Sequence, residues 1–260
     1  MRRPQLHEEA LQPGRPAPGN KAAASPRLKQ IYTRILKAFG PQGWWPVTPP
    51  GKTSPVYFPG FYGRPSERTA FEICAGAILT QNTAWANAER ALQALNSSGL
   101  LSPAKIAGSP LPRLEHAVRS SGYFRQKARS LKAFCRRSLR EHPEGFRKWF
   151  SSAAAGSLRA ELLSYKGVGP ETADCILLYA AGKPGFVVDA YTRRAGERLG
   201  LGRGLSYDAW KYLFEKGLPS DVKLYNEYHA LLVKLGKDFC KRTKPQCTGC
   251  PLNITCAKLI

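Results

Sequence analysis

Acidic residues are scarce in this chain: 18 Asp and Glu stand against 40 Lys and Arg among 260 residues, leaving a formal charge of +22 and a pI near 10.0. Such an excess repels itself in a compact fold and attracts polyanions, which makes nucleic acid the first partner to consider. An arginine-rich genome would inflate surface charge in the same way, so composition supports that partner without deciding it. Also missing is any run of about eighteen apolar residues, which excludes an ordinary membrane-spanning helix and any membrane partner that would need one. The N-terminal segment MRRPQLHEEALQPGRPAPGNKAAASP lacks the apolar centre of a secretory signal. No stretch reads convincingly as a strand, and no internal repeat has a solenoid period. These absences leave an all-α protein, long enough for one substantial core or two small ones.

Residues 1–25, rich in proline, glycine, alanine and charge, are expected to form a disordered basic tail. From Pro26 the pattern changes: Leu28, Ile31, Tyr32, Ile35, Leu36 and Phe39 recur three and four apart, one face of an amphipathic helix. Gly43-Trp44-Trp45-Pro46 follows, then a loop, VTPPGKTSPVYFPGFYGRPS, too rich in proline and glycine for a regular helix. Phe71, Cys74, Ala75, Ile78 and Leu79 mark a second helix, ending in the polar run Thr80-Gln81-Asn82-Thr83. Further helices are expected from Ala86 to Leu95, Leu114 to Val118 and Arg125 to Arg140. In the last of these, Ala128, Leu131, Cys135 and Leu139 face inward, while Arg125, Lys127, Arg129, Lys132, Arg136, Arg137 and Arg140 form a solvated basic face. Leu224, Tyr228, Leu231, Leu232 and Leu235 define a final helix running into a group of cysteines.

The stretch on which the rest depends is LLSYKGVGPETADCILLYAAGKPGFVVDAYTRR, Leu162 to Arg194. It reads as a helix end, a glycine hairpin at Lys166-Gly167-Val168-Gly169, a helix from about Glu171 to Ala181, a short connection, and Asp189 opening another helix. Two glycines around Val168 let the backbone turn through conformations closed to other residues, with Val168 plugging the helices together. Pro170 starts the second helix, whose free N–H groups would face an anion such as a DNA phosphate, with Gly167 and Gly169 clearing its approach. Taken alone, the same residues also fit a helix–turn–helix connection with no ligand.

Seven cysteines without a secretory signal point to a reducing compartment, where clustered thiols bind metal more often than they form disulfides. Cys240, Cys247, Cys250 and Cys256 stand as C-x6-C-x2-C-x5-C. Four thiolates on short loops can hold a tetrahedral zinc or an iron–sulfur cluster. Structural zinc often uses two C-x2-C pairs, and only one is present. Cys74, Cys135 and Cys175 read as ordinary core residues.

The central stretch resembles the signature of the helix-hairpin-helix DNA glycosylases, the superfamily of endonuclease III, and GVGPETADCILLYA followed by VVDAYTRR is most similar to its 3-methyladenine glycosylase branch. The resemblance runs from about Pro26 to Cys256. It implies two helical domains flanking a DNA-binding cleft: residues 66–187 as a helical barrel carrying the hairpin, and 26–65 with 188–260 as an iron–sulfur domain. The cysteine spacing is similar to the [4Fe–4S] loop of the endonuclease III family, with a structural and DNA-positioning role, since glycosidic hydrolysis needs no redox chemistry. The resemblance further implies that Gln81 fills the gap left in the duplex by an extruded nucleotide, unless it merely caps a helix. It places Trp44, Trp45 and Trp85 at a base pocket, where indole faces would stack on electron-poor alkylated purines; core packing is the competing role. Lys166, Gly167, Val168 and Gly169 would contact the DNA backbone, Tyr123 would lie in a loop near it, and Lys237 would approach the pocket.

Breaking a C1′–N bond places positive charge on the sugar, and a nearby carboxylate stabilises that charge and helps align or deprotonate water. Asp189 is the candidate, although a plain N-cap for Tyr191 or Thr192 accounts for it too. The departure lies at Glu171. Bifunctional endonuclease III enzymes carry lysine there, in GVGRKTA, as the amine that forms a Schiff base, and a carboxylate forms no imine. The chain is therefore expected to be a monofunctional glycosylase acting as a monomer on double-stranded DNA that contains damaged bases, in the bacterial cytoplasm and bound to the nucleoid. Alternatives are a weak lyase using Lys237 or Lys166, an endonuclease III-type specificity for oxidised pyrimidines, and a lesion-binding protein without turnover.

Overall fold

The computed structural model describes residues 21–60 and 62–259. Most of the expected tail, residues 1–20, lies outside them. The first helix, α1 (Lys21–Phe39), begins before Pro26 and carries that proline within it, a correction to the expected start. Leu28, Ile31 and Ile35 are fully buried, as their spacing predicts.

No regular strand occurs among the described residues, and the loop after α1 closes only through an antiparallel bridge between Val47 and Val56. Side chains hold this loop in place. The Glu72 carboxylate, fully buried on α2 (Glu67–Leu79), accepts from the Thr48 backbone N–H at 3.0 and 3.1 Å and from its hydroxyl at 2.5 Å. The Asn96 amide donates to the Lys52 and Thr53 carbonyls at 3.1 and 3.2 Å. Gly43, at φ +67°, lies so close beneath Phe58 and Pro59 that a side chain there would strike their backbone.

Beyond α2, buried from Ala70 to Leu79 without a break, come α3 (Trp85–Ser97), α4 (Pro103–Gly108), α5 (Leu111–Ala117), a short 3-10 turn at Arg119–Ser121 and α6 (Phe124–Glu141). Next are α7 (Phe146–Ser152), α8 (Ala155–Leu163) and α9 (Pro170–Cys175), which widens into a π-helical turn at Ile176–Ala180. The chain ends with α10 (Ala190–Arg198), α11 (Tyr207–Gly217), α12 (Val222–Asp238) and the cysteine loop. The central helix α2 packs on α3, α6, α7 and the π turn, whereas α12 packs on α1 and α10, and α1 also on α11. The π turn touches both α2 and α12, so it joins the two sets of helices. Among the described residues no helix is long and apolar enough to cross a membrane.

The basic face of α6 needs two corrections. Lys127 is 3 % exposed and belongs inside: its ammonium donates to the carbonyls of Leu79 and Ser121 at 2.8 and 2.6 Å, satisfying the end of α2. Loss of solvent pulls its pKa down to about 8. Leu139, expected inside, is exposed, and Ser138 takes the buried position. Cys74, Cys135 and Cys175 are buried free thiols, as expected.

Candidate active site

The hairpin forms because α8 stops at Leu163 and the chain turns at Gly167, φ +86°, with the Val168 N–H closing onto the Tyr165 carbonyl at 3.0 Å. Glycine is required there twice over, since a Cβ would also lie 2.5 Å from the Ser130 hydroxyl oxygen. Val168 is buried as the expected plug. Gly169 differs from expectation. Its φ of −92° suits any residue, and a Cβ would meet nothing within 4 Å, so neither turn geometry nor packing demands glycine. It is the N-cap of α9 and brings no side chain to the first N–H groups, and Pro170 occupies the first helical position. Lys166 is exposed.

Gln81 reaches this hairpin from the loop after α2. Its amide nitrogen donates to the Gly167 carbonyl and the Thr172 hydroxyl, both at 2.8 Å. The residue capping α2 is Thr80, so helix capping is not what Gln81 does.

Asp189 is the N-cap of α10: its Oδ1 accepts from the Thr192 N–H at 2.7 Å. The other oxygen, Oδ2, is not used by the cap and lies 3.7 Å from His229 Nε2, longer than a direct hydrogen bond. Burial works to raise the carboxyl pKa, but the His229 contact and the Thr192 hydrogen bonds outweigh it and hold Asp189 below the usual range. Glu171, in the first turn of α9, behaves oppositely. It remains reachable by solvent, yet the protein walls around it strip enough water to push its carboxyl up to about 7, with the Asp189 charge adding and His229 and Arg193 opposing.

The three indoles pack on one another. Trp85 meets Trp44 and Trp45 edge-on at 4.9 and 5.2 Å between ring centroids, and Trp44 and Trp45 lie 5.1 Å apart. Tyr57 from the pinned loop approaches Trp44 at 5.9 Å, and Tyr179 from the π turn approaches Trp45 at 5.4 Å. All three indole N–H groups lack a hydrogen-bond partner, as does that of Trp210 in the core beneath α11, so the missing partners alone do not set the cage apart from core packing. Lys237 stands exposed in the last turn of α12 and makes no ion pair or hydrogen bond among the described residues.

The sequence reading passed over Tyr179 and His229. Tyr179 reads as one more apolar helix residue, and His229 as a polar interruption of the α12 core face. The available signal was that interruption, since a histidine that is 4 % exposed requires partners for two nitrogens.

The cysteine loop lies at the far end of α10 and α12. Cys240, Cys247, Cys250 and Cys256 line one cavity with Arg198, Phe239, Pro245, Asn253 and Lys258. The Arg198 guanidinium donates to Cys240 Sγ at 3.4 Å, and the Lys258 N–H to Cys256 Sγ at 3.4 Å. No three of the sulfurs lie within 4.8 Å of one another, which is wider than the ~3.8 Å sulfur spacing of a tetrahedral zinc site with bonds of about 2.3 Å.

Comparison with known proteins agrees with this arrangement. Residues 75–220 match the model of the HhH-GPD superfamily base excision DNA repair proteins. A Methanocaldococcus jannaschii protein, MJ1434, provisionally described as a DNA repair glycosylase, is 39 % identical over 230 residues, 88 % of this chain and 95 % of its own. Among solved structures, the H. pylori 3-methyladenine DNA glycosylase bound to 1,N6-ethenoadenine aligns with a TM-score of 0.63 at 27 % identity, covering 82 % of this chain and 97 % of that one. A trapped endonuclease III–DNA covalent intermediate aligns with a TM-score of 0.71 at 23 % identity, covering 90 % and 96 %, a likeness of fold. With the hairpin, the capped carboxylate and more than half of its length in register with that superfamily, the chain belongs to the HhH-GPD base excision DNA repair proteins.

Proposed function

We propose that the protein is a monofunctional DNA glycosylase that hydrolyses the N-glycosidic bond of a damaged base turned out of double-stranded DNA, with alkylated purines favoured. The observation carrying this reading is Asp189: one oxygen is fixed by the helix cap and the other is left uncapped, on a carboxylate held anionic. As the C1′–N bond breaks, its electron pair leaves with the base and the sugar becomes cationic. Asp189 stabilises that cation, and water adds to C1′, losing a proton to the carboxylate or to solvent. The abasic strand remains intact, because the hairpin carries Glu171 where the lyases of this superfamily carry an amine.

Trp44, Trp45 and Trp85 form the base pocket in this reading, and their unpaired N–H groups serve as donors to the extruded base. The 3-methyladenine glycosylase among the structural relatives was solved with an alkylated adenine, which supports the preference for alkylated purines. Lys166 to Gly169 grip the backbone, and Gln81, already bonded to the hairpin, exchanges those bonds for the orphaned base. Residues 66–187 form one domain and 26–65 with 188–260 the other, with DNA bound by a monomer across the cleft between them.

The cysteine cavity fits a [4Fe–4S] cluster. Four thiols converge on one cavity, and N–H donors point at two of the sulfurs. Cys240, Cys247, Cys250 and Cys256 would hold the cluster, which would brace the loop and the Lys241, Arg242, Lys244 and Lys258 charges around it.

Purified protein incubated with duplexes bearing alkylated, oxidised or deaminated bases should release an alkylated purine in a single turnover and leave an uncut abasic strand. Binding without base release would make it a lesion-marking protein instead. A covalent adduct trapped by borohydride on an abasic duplex would refute the monofunctional assignment and direct attention to Lys237 and Lys166.

A further inference from the structure

His229 has no part in the reaction described so far, yet among the described residues it is the histidine in contact with the carboxylate. It lies on the buried side of α12 with both ring nitrogens enclosed. Nδ1 is 2.6 Å from the Tyr179 hydroxyl. Nε2 has no hydrogen-bond partner and lies 3.7 Å from Asp189 Oδ2.

The groups facing each ring nitrogen select where the imidazole proton resides. A lone pair on Nε2 would face the carboxylate oxygen, negative against negative, in a site that holds little solvent. The proton is therefore on Nε2, Nδ1 is the acceptor, and the tyrosine hydroxyl donates to it. The Asn226 carbonyl, 3.5 Å from the same hydroxyl, is the poorer acceptor. Tyr179 sits in the π-helical turn, a local widening of the helix often found at functional sites. Its ring also packs on Trp45. One tyrosine thus touches both the indole cage and the histidine that faces the carboxylate.

The geometry points to His229 as a positioning residue for Asp189: its tautomer fixed by Tyr179, it aims Nε2–H at the oxygen the helix cap leaves unused. This orients the carboxylate toward the sugar, and Tyr179 ties that orientation to what occupies the cage. The 3.7 Å gap is an electrostatic contact in the free protein that tightens to a hydrogen bond when substrate is bound. Glu171 is within charge range of both residues, Arg193 of Glu171, and Glu227 of Tyr179, and none of them donates a hydrogen bond to Oδ2.

The inference rests on the catalytic role of Asp189, so the experiment includes a variant of each. Single-turnover release of an alkylated purine is measured for H229A, H229Q, Y179F and D189N, alongside affinity for a duplex containing a tetrahydrofuran abasic analogue. H229A should slow release about 10- to 100-fold, the usual cost of losing a group that orients a reactive one, while affinity changes less than about threefold. H229Q, whose amide keeps an N–H directed at Asp189, should recover part of the rate, and Y179F, which frees the tautomer, should fall between H229A and the native protein. Release by H229A within about twofold of native overturns the inference, as does a parallel loss of rate and affinity in both H229A and H229Q, which would mark a packing role. Full activity in D189N instead defeats the parent reading, whereas an inactive D189N beside a fully active H229A defeats only this one.

Discussion

The starts of α9 and α10 are built from similar parts and arrive at opposite chemistry. Each opens after an extended residue and carries a carboxylate in or before its first turn. Asp189 faces the Thr192 N–H and an imidazole edge and is held below its usual pKa; Glu171 has no donor bonded to its carboxyl, feels the Asp189 charge, and is lifted to about 7. Position at a helix start favours an anion in both cases. What separates them is the set of groups facing each carboxyl, and the separation leaves one acid charged and its neighbour close to half protonated near neutrality.

The sharpest way to break this comparison is Asp189→Asn. Asparagine caps a helix about as well as aspartate, so the melting temperature should move little. Excision should fall by about 10²–10³, the usual cost of losing one electrostatic stabiliser, measured as single-turnover base release. A melt that collapses together with activity would mean that the carboxylate is chiefly structural.

The two hairpin glycines give a smaller contrast. Gly167→Ala forces a side chain into positive φ and onto Ser130, and should destabilise by about 1–3 kcal/mol in denaturant titrations. Gly169→Ala should leave stability within about 0.5 kcal/mol but weaken duplex binding severalfold, because the extra methyl would occupy the approach to the α9 N–H groups. Equal destabilisation by both substitutions would show that Gly169 is needed by the fold rather than by a ligand.

The smallest effect is expected from Glu171→Gln. A carboxyl whose folded pKa is raised costs nothing at pH values below its unfolded pKa, where both states are protonated. Its penalty grows as pH rises from the mid-4s to about 7 and is complete above that. The variant should therefore match the native melt at pH 4 and exceed it slightly at pH 8, the gain being small because solvent reaches the group. A native protein that is more stable than the variant at pH 8 would show that Glu171 has a partner at its helix start after all.

Much of this site was legible in the sequence. Leu28, Ile31 and Ile35 of α1, Phe71, Cys74, Ala75, Ile78 and Leu79 of α2, and the turn at Gly167 follow from period and backbone freedom, and they appear where expected. Other features needed three dimensions. Lys127 lies on a helix whose neighbours are arginines, and only the unpaired carbonyls of Leu79 and Ser121 explain its burial. Gly169 looked like Gly167 because one-letter codes do not carry φ. The short helices α4, α7 and α11 were not anticipated. The first is a single turn anchored by Ile106, while α7 buries Phe146, Trp149 and Phe150 and α11 buries Trp210 and Phe214 against a core assembled from distant segments. The Tyr179–His229–Asp189 chain draws on three elements spread over fifty residues, and no local pattern links them.

Helix α10 spans only about 13 Å from end to end, and both of its ends carry chemistry. Asp189 sits at its first turn, while near its last turns Arg194 donates to the Cys240 and Gly236 carbonyls and Arg198 holds the Lys241 and Arg242 carbonyls together with the Cys240 sulfur. The helix is a strut fixed at both ends, so slackening at the cysteine anchor would tilt the carboxylate at the opposite tip.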